Sequence, residues 1–187
     1  LGQCMAPQLV KKASRVIVID HHRRHGDFEF NPVLSYVEPA ASSTCELVCE
    51  LFDYQNKKVE ISSQQSTLMY TGILIDTNRF RNRTGSRTFE AVSLLRQLGA
   101  DPQEADNLLK DDYQDFEIKA AITNTAIMDK HGMMIAPYAE RQVVRSLMSQ
   151  VADSLLTIRD VEASFVIAYV DDAKTVAISA RSRGKIN

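Results

Sequence analysis

The sequence predicts an α/β fold, and three features carry that prediction. Arg15-Val16-Ile17-Val18-Ile19 is a short β-branched run with the length and character of a strand buried on both faces of a parallel sheet. After it, apolar residues recur at helical spacing through most of the next hundred positions. Near the end, residues 163–170 and 175–180 return to strand character. Asp171-Asp172-Ala173-Lys174 turns between them, so an antiparallel hairpin is expected.

The elements follow in order. Pro32 and Pro39 bracket a loop with a short extended piece at 33–37. Ser42-Ser43-Thr44 precedes Glu46-Leu47-Val48, which is a helix start, and Leu47, Val48, Leu51 and Phe52 keep helical spacing. A second helix is expected over 63–75, with Leu68, Gly72 and Ile75 along it. Ser86 is read as the cap of a third helix running over 89–98, and Gly99 stops it. Asp101-Pro102 opens another short helix. Residues 113–128 read as one helix connecting two lobes. Residues 133–136 read as a strand, and 143–156 as a helix with Val144, Leu147, Met148, Val151 and Leu155 on one face.

Composition narrows the function. Hydrophobic residues make up 44% of the 187, enough for one medium domain or two small ones. A net charge of -2 argues against a partner such as long nucleic acid, so an anionic ligand must be held by local positive charge or by metal. The cysteines Cys4, Cys45 and Cys49 cannot all pair within the chain. Cys45 and Cys49 share a helix face, either as metal ligands or a redox pair, or as two small half-buried residues; the last is expected, in a reducing cytoplasm. No stretch approaches the roughly 20 apolar residues of a membrane span. Leu1-Gly2-Gln3-Cys4-Met5 is neither a signal peptide nor an initiator, and both ends read as cut, so a longer parent is expected.

Four groups carry chemistry. Asp20-His21-His22 follows the buried run, at the carboxyl end where open α/β sheets place ligands. Neutral imidazoles ligate first-row metals, and aspartate either joins them or orients a histidine; the alternative is a polar loop. Asp76 ends an apolar stretch, as a surface residue or as a ligand at the rim of the core. Arg79, Arg81, Arg83 and Arg87, near a helix start at Thr84-Gly85-Ser86, suit phosphate or form a solvated loop, and Arg23-Arg24 beside the histidines tilts the reading toward phosphate. Ile178-Ser179-Ala180-Arg181-Ser182-Arg183-Gly184 alternates hydroxyl and guanidinium groups at a strand end, and on residues alone reads as an edge strand.

Val18-Ile19-Asp20-His21-His22-Arg23-Arg24 resembles the signature motif of the DHH phosphoesterases. The run from Asn31-Pro32 to Ser43-Thr44, the Gly72-Ile73-Leu74-Ile75-Asp76-Thr77 motif and Arg83-Thr84-Gly85-Ser86-Arg87 resemble the branch that hydrolyses cyclic-di-AMP. Residues 178–187 are similar to the substrate-binding part of the DHH-associated second domain. The resemblance implies the C-terminal part of a parallel-sheet DHH domain over 1–112, a helical connector over 113–128, and the start of a smaller mixed α/β domain over 129–187. It implies that His21 and Asp76 ligate Mn²⁺ in a two-metal centre, that His22 meets the scissile phosphate, and that Asp20 supports the histidines from behind. Ser43, Thr44, Arg83 and Arg87, with Arg181 and Ser182 from the second domain, would meet the nucleotide.

The family's first metal motif, a histidine and two aspartates, and a bridging aspartate lie upstream of the signature and have no counterpart here; the glycine-rich, histidine-bearing loop beyond Asn187 is likewise outside the sequence. Isolated, the chain is therefore expected to bind metal weakly and to be close to inactive. The intact parent is expected to cleave cyclic-di-AMP to linear pApA, with its catalytic region in the cytoplasm, an attachment to the cell membrane made by other segments, and a possible homodimeric state. The alternatives are a short-oligonucleotide or pAp phosphoesterase on the same scaffold, and a nucleotide-binding module without catalysis.

Overall fold

The computed structural model describes residues 6–23, 30–55, 60–170 and 175–184. Arg24, the turn at 171–174 and the segments 1–5 and 185–187, all used in the sequence reading, lie outside the described residues. The chain forms two compact units, Leu1–Lys110 and Asp111–Asn187.

In the first unit, α1 (Pro7–Lys12) leads to β1 (Ile17–Asp20) and β2 (Leu34–Val37), which pair in parallel with Ile17 opposite Leu34 and Asp20 opposite Val37. The expected strand is real and parallel, but it is not buried on both faces: Ile17 is 59% exposed, and only β2 pairs with β1 among the described residues. α2 (Thr44–Asp53), α3 (Ser63–Asp76), α4 (Ser86–Gln97) and α5 (Pro102–Leu108) follow. Their meeting faces bury Cys49, Tyr70, Ile73, Leu74, Ala91, Leu95, Ala100 and Ala105 in one core. Ser62 and Gln65 cap α3 reciprocally, each side chain bonding the other's backbone N–H. The hydroxyls of Thr67 and Thr71 inside α3, and of Thr77 at its C-terminal cap, donate to carbonyls four residues back, so these polar residues are buried without an unmet donor.

α4 starts one residue earlier than a Ser86 cap requires. Gly85 is the cap, and the Thr88 hydroxyl accepts its N–H at 3.1 Å. Gly99 ends α4 as expected, in the left-handed region at φ +93°.

The second unit holds α6 (Tyr113–Asn124), β3 (Ile127–Met128), β4 (Met133–Tyr138), α7 (Arg145–Leu155), β5 (Ala163–Val170) and β6 (Thr175–Ser182). The strands run β3-β4-β5-β6; β4 and β5 are parallel and the other pairs antiparallel. The helix expected over 113–128 ends at Asn124. Thr123, Asn124 and Thr125 favour local side-chain bonds over helix, the Thr125 hydroxyl turns back to Ile122 O, and Ile127 and Met128 pair with β4 instead. Ile118 and Ile122 of α6 pack into the same core as Leu147, Met148, Val151 and Leu155 of α7 and Val166 and Ala168 of β5. Val144, placed by periodicity on the apolar face of α7, is instead its extended cap residue and lies 61% exposed.

Candidate metal and phosphate site

The site grows from the carboxyl end of β1. Asp20 is the last residue of the strand, and the chain turns directly after it, so two neighbouring imidazoles stack on one side with ring centroids 4.2 Å apart. They have different partners. The Asp20 carboxylate accepts from the His22 ring at 2.7 Å and from the His22 backbone N–H at 3.1 Å. Burial raises the Asp20 pKa, but the bonds from His22 outweigh it and hold the carboxyl below its ordinary value. Asp20 therefore backs His22, whose side chain is 69% exposed and faces solvent.

His21 is buried. Its Nδ1 lies 3.1 Å from the Thr44 hydroxyl, and its Nε2 faces the Asp76 carboxylate at 3.7 Å. Burial depresses the His21 pKa, with Asp76 pulling the other way. The sequence separation of 55 positions between His21 and Asp76 is closed by α3, which ends on Asp76 at the mouth of β1. A gap of 3.7 Å is beyond a hydrogen bond yet leaves an imidazole nitrogen and a carboxylate oxygen facing one point.

Asp20, His21 and His22 also offer ligand atoms within 4.8 Å of one another. Of that trio, Asp20 Oδ1 and His22 Nδ1 bond each other at 2.7 Å, while His21 Nε2 faces Asp76. A nitrogen–oxygen donor pair with its other nitrogen already engaged fits a divalent first-row ion.

After Asp76 the chain leaves α3 through Asn78, Arg79 and Phe80, three consecutive left-handed residues at φ 47°, 57° and 63°, none of them glycine. Such a conformation costs roughly 1–2 kcal/mol per residue. Thr77 holds the turn: its hydroxyl accepts from Phe80 N at 3.0 Å and its carbonyl from Asn82 N at 2.9 Å. Phe80 packs between the rings of Tyr70 and Phe89, and Arg79 pairs with Asp106. The turn carries the basic loop back toward the histidines. Arg83, itself at φ 56°, donates to Pro39 O at 3.3 Å and acts electrostatically on His21.

The other expected ligand contacts have definite partners. Arg87 makes a two-point pair with Glu50, Nε–Oε1 2.5 Å and Nη2–Oε2 2.8 Å, and Tyr36 donates to the same carboxylate at 3.0 Å. Ser43 is fully buried, and its hydroxyl accepts from Glu46 N at 3.1 Å as the cap of α2. Thr44 meets His21. Arg181 and Ser182 lie on β6 of the second unit; Arg181 Nε donates to Asp153 of α7 at 2.8 Å, and the Ser182 hydroxyl accepts from Gly184 N at 3.4 Å.

Sequence reasoning missed Glu46 and Glu50. Ser43 followed three residues on by Glu46 has the spacing of a capping box, which suggests an exposed glutamate reaching back to its own cap. Instead Glu46 is 2% exposed and bonds the hydroxyls of Ser42 and Thr88. Its position on the inward face of α2, one residue before Leu47, was the available signal.

Residues 4–73 match the DHH family, N-terminal domain. The chain is 46% identical over 181 residues to a cyclic-di-AMP phosphodiesterase of Geobacillus thermodenitrificans (strain NG80-2), covering 96% of this chain and 27% of that protein. It is 30% identical over 173 residues to a probable bifunctional oligoribonuclease and PAP phosphatase of Streptococcus mutans, covering 88% of this chain and 49% of that protein. The chain thus spans about a quarter of the length of the first of these relatives. Its fold matches the crystal structure of an exopolyphosphatase-related protein from Bacteroides fragilis at a TM-score of 0.78 and 22% identity, over 91% of this chain and 52% of that one. The Asp20-His21-His22 motif at the end of β1 falls inside the matched residues, so this part of the chain belongs to the DHH family's N-terminal domain.

Proposed function

We propose that the intact protein containing this chain hydrolyses a phosphodiester bond of cyclic-di-AMP and releases linear pApA. The observation that carries the reading is the approach of His21 Nε2 to Asp76 at 3.7 Å beside an exposed His22. The name of the Geobacillus relative supports the substrate. In the reaction, the oxygen of water bonds to phosphorus, the bond to the ribose 3′ oxygen breaks, and that oxygen leaves with a proton.

His21 and Asp76 are the residues that would hold a divalent ion, with Mn²⁺ the expected metal. When bound, such an ion lowers the pKa of water and offsets phosphate charge. His22, held by Asp20, presents a ring nitrogen to a phosphate oxygen. Arg83 adds a guanidinium beside it, which strengthens as charge builds on the phosphate. Arg87 acts behind this layer, through Glu50. In the second unit, Arg181 held by Asp153 and Ser182 beside it offer donors to the nucleotide. The two units correspond in this reading to the end of a DHH domain and the start of its associated domain. In this reading the catalytic part works in the cytoplasm, and the intact protein is held at the membrane by segments outside this chain.

The test is a Mn²⁺-supported assay of the intact protein on cyclic-di-AMP, pApA and pAp side by side. Cleavage of cyclic-di-AMP, lost more than about a hundredfold in His21→Ala and in Asp76→Asn, is expected, since outer partners of metal ligands alone are worth 10–100-fold. Cleavage of pAp alone sinks this reading in favour of the oligonucleotide and pAp activity named for the Streptococcus relative. Tight binding of nucleotide without turnover would make it a binding module.

A further inference from the structure

We propose that Thr44 is a positioning residue for His21 and that a buried carboxylate, Glu46, seats it. This rests on His21 and Asp76 being metal ligands.

The two nitrogens of His21 meet different surroundings. Nε2 faces Asp76 at 3.7 Å, and Nδ1 lies 3.1 Å from the Thr44 hydroxyl. A neutral imidazole carries one N–H. If its Nε2 lone pair is to meet a cation, the proton must sit on Nδ1, and the Thr44 oxygen is the acceptor there. The common partner of a metal-ligating histidine is a carboxylate or a carbonyl. A threonine hydroxyl can accept from the same N–H and hold the ring angle without bringing a second negative charge beside Asp76.

Thr44 can do this only if its own place is fixed. It is the first residue of α2, and the segment before it is closed off from water, with Ala41, Ser42 and Ser43 at 1%, 1% and 0% exposure. Glu46 ties that segment down. Its Oε2 accepts from the Ser42 hydroxyl at 2.5 Å, from the Thr88 hydroxyl at 2.7 Å and from Ser42 N at 3.4 Å. Its Oε1 lies 4.0 Å from Arg87 Nε, and its own N–H is taken by Ser43. One buried carboxylate therefore joins the entrance of α2 to the first turn of α4. A buried charge with donors converging from two elements resists displacement, because any movement leaves a hydroxyl or the carboxylate unpaired. The clamp fixes the segment, the segment fixes Thr44, and Thr44 fixes the ring.

Mn²⁺ titration of the intact protein by calorimetry tests this, with thermal melting of the metal-free protein beside it. Thr44→Val is expected to weaken Mn²⁺ binding by about 10–100-fold, and Thr44→Ser to recover most of it. Glu46→Gln keeps the shape and loses the charge, and is expected to weaken binding by about tenfold. A folded Thr44→Val that binds within about twofold of the wild type overturns the role. His21→Ala and Asp76→Ala separate the two ideas. Unchanged Mn²⁺ binding in both removes the metal reading itself; lost binding in both, with Thr44→Val unaffected, removes only the positioning role. A readout needing no variant is the ¹⁵N spectrum of histidine-labelled, metal-free protein: His21 is expected with its proton on Nδ1, and a proton on Nε2 overturns the inference.

Discussion

Gly72 shows how a single missing atom supports the site. A Cβ at that position would lie 2.6 Å from Cys45 Sγ, inside any permissible contact. α3 can therefore approach α2 only because residue 72 has no side chain, and that approach brings Asp76 toward His21. Gly72→Ala is expected to destabilise the first unit by about 1–3 kcal/mol through overpacking. Adding Cys45→Ala should recover most of that loss, read from urea unfolding of both variants; an uncoupled double variant would mean that the clash is not the cause. Of the two thiols, Cys45 is half-buried as expected, whereas Cys49 is buried in the core. Burial pushes the Cys49 thiol up to about 12 and raises that of Cys45, so neither is a ready thiolate at neutral pH. Residue types were legible in the sequence here, and the contact that makes Gly72 necessary was not, because it joins two helices that no local pattern relates.

At the scale of elements, the basic loop is where sequence and structure part most. Four arginines within nine positions suited either phosphate or a solvated loop, and they differ in what they touch. Arg87 bonds Glu50 and joins α4 to α2, while Tyr36 links the same carboxylate to β2. The bond from Arg87 is the largest influence on Glu50 and lowers its pKa. A lowered carboxyl contributes stability that is fully present above its unfolded value, about 4.3, and is lost as pH falls through the folded one. Arg87→Met should therefore cost roughly 1 kcal/mol at pH 7, a figure discounted because the guanidinium is 43% exposed, and should flatten the acid side of the stability profile. An unchanged slope below pH 4 would detach the pair from stability.

Arg83 is the opposite case. It sits at φ 56°, where glycine is at no disadvantage and arginine is strained by roughly 1–2 kcal/mol. After the entropy glycine loses on folding, Arg83→Gly should gain about 0.5–1 kcal/mol in chemical denaturation and weaken nucleotide binding in the same protein. A variant that gained stability with full affinity would show that the arginine does no work at the phosphate.

For the whole molecule, the α/β class, the strand at β1 and the antiparallel C-terminal strands were legible, whereas the strand β2 was visible only as an extended piece of a loop. The division of the chain was harder to read. Residues 113–128 read from sequence as a helix with little strand character connecting two lobes. Two side chains decide its allegiance: Ile118 and Ile122 lie buried among residues of α7, β4 and β5. Local composition cannot reveal that, because Ile118 and Ile122 look alike whether their neighbours are solvent or Val166. If α6 is part of that core, Ile122→Ala should cost about 2–5 kcal/mol, as a fully buried isoleucine does. The loss should be shared: amide protection in α6, α7, β4 and β5 should fall together under native-state hydrogen exchange, as in one cooperative unit. If protection instead fell in α6 alone while β4 and β5 kept theirs, α6 would be a connector laid on the surface of a core that is complete without it.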